Sequence, residues 1–326
     1  MLEEIIYSPI FWWIAGILII PGILMWVASY FIAARCIFDS TLRRIDSDTW
    51  KRGIPKDASA QSLKMFNDGL EWARKNEEFK RDVHIVNEGL NLYGEYYDLG
   101  YDKTVLILSG RTDSLTYGYY FAIPYSKNGC NVLVIDARAH GMSDGKFNTF
   151  GFDENRDVIA WIRFLESEFG VKNVIVHALC IGAAGGVYAL TSENCPDTVK
   201  AFIAEGMFPN FAESMKNHLI EKKKPVRFLM ELIDRQIKKN TGYSMKYGPI
   251  DVIEKLDVPL LMLHGRKDIY STPEYAQKLF ELAGSEKKRL SWFDEGTHSM
   301  LRVTDPEAYD AEIEKFLCEI FELQRA

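Results

Sequence analysis

The chain has 326 residues, 47% hydrophobic and 26% charged, with a formal net charge of -7. That length holds one large α/β domain or two small ones with a substantial core, and the acidic balance excludes nucleic acid as the main partner. Five cysteines, odd in number and without C-x-x-C spacing, exclude a disulfide framework and a zinc site and read as reduced thiols.

The first element is an uncharged apolar run from Ile10 to Ala34. At about 1.5 Å per residue it crosses a hydrocarbon core of roughly 30 Å. Pro21-Gly22 lies mid-span, where a bend is expected. Trp12, Trp13 and Tyr30 lie toward the ends, as interfacial aromatics do. Glu3 and Glu4 stand where a signal peptide carries positive charge, and no small-x-small cleavage site follows, so a retained membrane helix is expected. Arg35, Arg43, Arg44, Lys51 and Arg52 follow the span, and the positive-inside rule then places the large C-terminal part in the cytoplasm. Asp39, Asp46 and Asp48 dilute that cluster but count little in the rule. Cys36 is a candidate for palmitoylation, an unmodified small residue being the simpler reading. The expected organisation is an anchor over 1–38, a helical linker over 39–82 and one domain over 83–326.

Within the linker, Leu63, Phe66, Leu70 and Ala73 fall at helical spacing and predict a docking helix. Strands follow: a hairpin of Val83–Val86 with Leu90–Tyr97, then buried strands at Thr104–Ser109 and Asn131–Asp136. Between the last two, Ser114–Lys127 suits a helix that Pro124 interrupts. Asp153–Phe169 is amphipathic. The strand from Val174 then runs into the turn Ala178-Leu179-Cys180-Ile181-Gly182, and a small-residue helix follows. Val199–Ala204, Pro259–His264 and Arg289–Phe293 read as strands, and Pro273–Leu282 and Pro306–Leu323 as helices. Alternation of this kind predicts an α/β fold with a mostly parallel sheet flanked by helices. The segment 206–256 differs: Phe208, Phe211, Met215, Leu219, Leu229 and Leu232 alternate with Lys222–Lys224 and other charges. It reads as a small helical lid whose apolar side chains either line an acyl pocket or pack the lid onto the body.

Three residues fall just after strands, where open α/β sheets build their sites. Cys180 sits in a small-x-nucleophile-x-small turn, Asp268 follows His264-Gly-Arg-Lys, and His298 ends Gly296-Thr-His. A thiol with a pKa of ~8.5 is only a few per cent thiolate at neutral pH, so it needs an imidazole to activate it. His298 would take and return the proton, and Asp268 would fix the imidazole tautomer and stabilise its charged form. Taken singly, each residue has a plainer reading: Cys180 as packing, Asp268 as a turn cap, His298 as structural. Their joint context and chain order favour a Cys–His–Asp triad.

These stretches, together with Asp136-Ala-Arg-Ala-His-Gly-Met-Ser-Asp-Gly145, resemble bacterial α/β-hydrolases related to monoacylglycerol lipases and serine-aminopeptidase-type hydrolases. The resemblance runs from about Val83 to the C-terminus. It implies the α/β-hydrolase fold and esterase, lipase, thioesterase or amidase chemistry without a cofactor or metal. Two positions depart from the family pattern. Cys180 replaces its Ser, as in dienelactone hydrolases and polyhydroxyalkanoate synthases, and Ser109-Gly110 stands where it has His-Gly. The implied oxyanion donors are the backbone N–H groups of Ile181 and Arg111. The Arg111 side chain is a candidate carboxylate clamp, against a solvated or internally paired Arg. His140 and His177 read as structural, and Glu205 is the reserve acid. The expected function is a membrane-anchored acyl hydrolase acting on an ester or thioester, with lipid-derived substrates in view. An acyltransferase using the same acyl-Cys180, and a non-catalytic binding protein on this fold, are the competing readings.

Overall fold

The computed structural model describes residues 9–44, 53–54, 58–111 and 113–321. Glu3, Glu4, Asp46, Asp48, Lys51 and Arg52, which enter the orientation argument, lie outside the described residues, as does the expected end of the last helix at Leu323.

The β-branched runs form the middle of one eight-stranded sheet in the order β1-β2-β4-β3-β5-β6-β7-β8. Its strands are β1 (Lys80–Asn87), β2 (Leu90–Tyr97), β3 (Lys103–Leu108), β4 (Cys130–Ile135), β5 (Asn173–Leu179), β6 (Val199–Glu205), β7 (Leu260–Gly265) and β8 (Lys288–Phe293). β4, β3, β5, β6, β7 and β8 run parallel to one another, and β2 joins β4 antiparallel. Side chains of β3, β4 and β7 are buried along their whole length, as a sheet covered on both faces requires. β1 and β2 form the expected antiparallel hairpin, turned at Glu88-Gly89 with φ of 51° and 77°. Two successive positive φ values match the right-handed twist of the flanking strands.

Helices cover both faces. On one lie α2 (Ala60–Lys75), α3 (Leu115–Lys127) and α10 (Pro306–Phe321), packing Met65, Trp72, Tyr119 and Phe316 onto the sheet. On the other lie α4 (Glu154–Phe169), α5 (Ile181–Leu190) and α8 (Pro273–Leu282), with Trp161, Ala183, Val187 and Leu279. A short helix, α9 (Leu301–Thr304), which no sequence pattern announced, follows His298.

Pro124 does not interrupt α3; the helix runs through it to Lys127. A proline removes the N–H that would serve the carbonyl four residues earlier. That carbonyl, on Tyr120, accepts instead from Arg302 Nη1 at 3.1 Å.

The N-terminal helix α1 spans Pro9–Leu42 and so extends beyond the expected boundary at residue 38. Ile19–Leu42 is long and apolar enough to cross a bilayer. Its two ends differ. Trp12, Trp13, Ile20, Met25 and Ile32 are exposed, whereas Ala34, Phe38 and Leu42 are buried among lid residues. The lid comprises α6 (Phe211–Glu221) and α7 (Arg227–Thr241). The chain leaving α1 is tied to the domain by Asn148 N–H to Leu42 O at 2.7 Å and Arg44 N–H to Lys146 O at 3.0 Å. Arg44 also donates to the carbonyls of Gly141, at 2.6 Å, and Ser143. The positive charge read as a topology signal is thus also a clamp on the loop that carries His140.

Candidate active site

The site is assembled at the carboxyl ends of β5, β6, β7 and β8. Cys180 occupies the turn between β5 and α5 with φ 51° and ψ -110°, an unusual conformation for a residue with a Cβ. The turn is forced by packing: a Cβ on Gly182 would lie 2.7 Å from the carbonyl oxygens of both Leu108 and Ser109. Cys180 N–H donates to Glu205 O at 2.9 Å, pinning the turn to β6. The thiol is half-buried and faces the cluster formed by the lid and the end of α1.

His298 and Asp268, 30 residues apart, meet through Nδ1 and Oδ2 at 2.7 Å. The other oxygen of Asp268 accepts from the N–H groups of Tyr270 and Ser271, each at 2.9 Å. The turn-cap and imidazole-orienting readings of Asp268 therefore hold together: one oxygen serves each. Burial pushes this carboxyl up, but the hydrogen bond and charge of His298 outweigh it and hold Asp268 below its ordinary range. Burial likewise disfavours the His298 cation. Charge on Cys180, with hydrogen bonds to Asp268 and Cys180, reverses this and holds His298 well above the ordinary imidazole range. Such an environment favours the charged imidazolium. Gly206, with φ 61°, lies against the ring; a Cβ there would be 3.2 Å from His298 Cε1.

Ile181 is the first residue of α5, where an N–H has no acceptor within the helix. Arg111 lies in the loop after β3, and its carbonyl is bonded by His140 Nε2. The other His140 nitrogen contacts Arg138 O at 2.9 Å. His140 is buried, and it braces the Ser109–Arg111 loop from a different segment, which supports that loop despite the missing His-Gly. Arg138 in turn makes a buried two-pronged pair with Asp157 at 2.6 and 2.7 Å, holding the His140 loop on α4. The Arg111 side chain is half-buried and pairs with no carboxylate among the described residues; its Nη1 donates to Thr41 O on α1 at 3.5 Å. Burial lowers its pKa, partly offset by charge on Cys180 and Asp113.

The reserve acid Glu205 is not bonded to His298. Its Oε2 accepts from Tyr309 at 2.6 Å, and its Oε1 has no hydrogen-bond partner. Burial pushes it up to about 7, against the Tyr309 hydrogen bond. His177 shares the Tyr309 hydroxyl with it, is bonded to Tyr125 at 2.7 Å and is driven down to about 3 by burial. Three neighbours escaped sequence reasoning. Asp113 is charge-coupled to Arg111, His140 and His298. His218 of the lid stacks on Tyr270 at 3.9 Å, and Tyr270 meets the His298 ring edge-on at 5.6 Å. Lid packing alone fixes these contacts, and no local motif signals them.

Comparison with known proteins fits this geometry. A family model described as alpha/beta hydrolase fold matches residues 103–242, and one described as serine aminopeptidase, S33, matches residues 212–307. The Bacillus subtilis protein YqkD is 28% identical over 219 residues, covering 66% of this chain and 71% of its own. Human ABHD12B is 30% identical over 163 residues, 48% of this chain and 43% of its own. Schizosaccharomyces pombe bem46 is 27% identical over 176 residues, 54% of each chain. The chain thus spans about half the length of these last two relatives. Among solved structures, the Pyrococcus furiosus esterase Pf2001 superposes with a TM-score of 0.62 at 25% identity, covering 76% of this chain and 96% of that one. The Exiguobacterium antarcticum esterase EaEST, at 18% identity, has a TM-score of 0.56 over 73% of this chain and 99% of its own.

Proposed function

We propose that this chain, which has the α/β-hydrolase fold, hydrolyses carboxylic esters or thioesters through a covalent acyl group on Cys180. The 2.7 Å contact between His298 and Asp268, at an imidazole that also feels the charge of Cys180, carries this reading. The Cys180 thiolate attacks the acyl carbon, and the carbonyl oxygen gains charge between the N–H groups of Ile181 and Arg111. The carbon–oxygen or carbon–sulfur bond then breaks, and the leaving group takes the proton from His298. Water next gives a proton to His298 and adds to the thioester carbon. Collapse releases the carboxylic acid and restores the thiolate–imidazolium pair. Asp268 holds the imidazole orientation throughout.

The same proposal places α1 in a bilayer, with the hydrolase domain on the side of Arg35, Arg43 and Arg44, hence cytoplasmic. Exposed Trp12 and Trp13 and the apolar surface of α1 support it.

Intact mass followed over time, with p-nitrophenyl acetate and octanoate and with Cys180→Ala as control, tests the chemistry. A transient acyl adduct with continuing p-nitrophenol release is expected, and Cys180→Ala should lose turnover by at least about 10³-fold. A stable adduct discharged only by added amines or alcohols would make the protein an acyltransferase. No adduct at all would make it a binding protein on a hydrolase fold.

A further inference from the structure

Two adjoining hollows run along one face of α1. The outer one, of about 460 Å³, is bounded by Trp26, Tyr30, Ala33 and Cys36 of α1 and by Lys224 and Leu229 of the lid. The inner one, of about 160 Å³, is bounded by Ser40 and Thr41 of α1, by Phe211 and Met215 of the lid, and by Arg111. Ile37 and Lys224 line both, so the hollows meet there. On α1 the stripe Trp26, Tyr30, Ala33, Ile37, Thr41 advances by three or four residues, the spacing of a single helical face. Its outer end lies beside the exposed apolar surface of α1, and its inner end lies at the loop bearing a proposed oxyanion donor. Arg111 at the inner end lies close enough to Cys180 for the charge of Cys180 to favour the Arg111 cation.

We propose that this groove is a binding site for one long, unbranched acyl chain, with α1 as one wall. The chain lies between α1 and the lid, its tail toward Trp26 and its carboxyl end beside Arg111 and Cys180. Apolar walls suit methylene groups. A half-buried guanidinium without a carboxylate partner among the described residues suits the acyl oxygens and the carboxylate product. The helix that would hold the protein in the membrane thereby also selects chain length. This assignment rests on the hydrolase reading above, and it adds the substrate class: long-chain acyl esters taken up along α1.

The test uses the full-length chain in dodecylmaltoside and compares kcat/KM for p-nitrophenyl dodecanoate with that for the acetate. Ala33→Trp and Cys36→Trp narrow the outer hollow, and Ile20→Trp, on an exposed turn outside it, is the control. The dodecanoate-to-acetate ratio is internal to each variant, so a loss of folded protein cancels from it. It should fall at least tenfold in Ala33→Trp and Cys36→Trp and hold in Ile20→Trp. An unchanged ratio in both groove variants, or an equal fall in all three, overturns the proposal. If the wild type hydrolyses neither ester, the hydrolase reading fails on its own. Calorimetric titration with dodecanoate then decides the groove: weaker binding in Ala33→Trp than in Ile20→Trp supports it, and equal or no binding overturns it.

Discussion

Arg302 donates to the main-chain carbonyl of Tyr120 across 3.1 Å, filling the place left by the missing N–H of Pro124. The same guanidinium grips Asp310 at 2.6 and 2.9 Å and lies 4.4 Å from the centre of the Tyr120 ring. One side chain therefore repairs a helix and joins α3 to α10.

Arg302→Met removes these contacts, leaving the Tyr120 carbonyl without a donor and Asp310 with only the exposed Lys127 at 3.6 Å. Breaking a buried pair of this kind costs about 3–5 kcal/mol. On a Pro124→Ala background the Tyr120 carbonyl regains a donor within the helix, so the loss should shrink by ~1 kcal/mol. Urea unfolding of the two single variants and the double variant measures the coupling. Strict additivity would mean the carbonyl contact contributes nothing.

Cys180 should be the first of the buried or half-buried thiols to react. Burial pushes Cys130 up to about 12 and Cys195 up to about 11, so neither supplies thiolate near neutrality. Cys180 is half-buried, and its charge acts on His298, which is held well above the ordinary imidazole range. Iodoacetamide at pH 6 should label Cys180 at least about tenfold faster than either, and His298→Ala should abolish the difference. Peptide mapping of the label reads this directly. Equal rates at all three cysteines would leave Cys180 without activation.

Glu205 should make the fold less stable as pH rises. Folded Glu205 keeps its proton to about pH 7, against an ordinary value of 4.5. Between these the folded state binds more protons than the unfolded one. The stability is therefore greatest below pH 4.5 and falls toward pH 7, by about 3 kcal/mol for the full difference. Glu205→Gln removes that dependence and should stabilise the protein at pH 8 by roughly 1–3 kcal/mol. Urea melts at pH 5 and pH 8 check it; destabilisation at pH 8 would show that the ionised carboxylate is favoured.

Gly182→Ala should disable the elbow. The new Cβ would meet two backbone oxygens at 2.7 Å, and backbone yields less readily than a side-chain tip. A shift of about 1 Å in the turn would misplace Cys180 and lower turnover ~10²-fold. Ester kinetics together with a thermal melt separate this from unfolding: a folded variant with full activity would sink the prediction.

The runs that form β3, β4 and β5 could be read from sequence because a strand buried on both faces must be apolar along its length. Cys180, Asp268 and His298 could be picked out because each follows a strand, and the structure pairs His298 with Asp268 at 2.7 Å. What sequence did not disclose are contacts between distant segments. Arg302 reaches Tyr120 over 182 positions, and Arg44 reaches Gly141 over 97. Neither leaves a local period or spacing. Pro124 was read by its local effect, a helix break, because its remedy lies near the other end of the chain. The end of α1 was misplaced for a related reason: Phe38 and Leu42 suit lipid and protein equally well, and only the folded lid shows which they meet.

The splice between α1 and the domain has a mechanical consequence. Leu42 O holds Asn148, Arg44 holds the carbonyls of Gly141 and Ser143, and Phe38 is packed inside the lid, so little play is left at the joint. A helix in a bilayer sets its inclination by the thickness of the hydrocarbon around it. If α1 lies in a bilayer as proposed, leaning the helix on a stiff joint would swing the candidate cleft through the same angle, like a cup on a rigid handle. Membranes of different thickness would then present the cleft at different heights above the surface, with no change inside the protein.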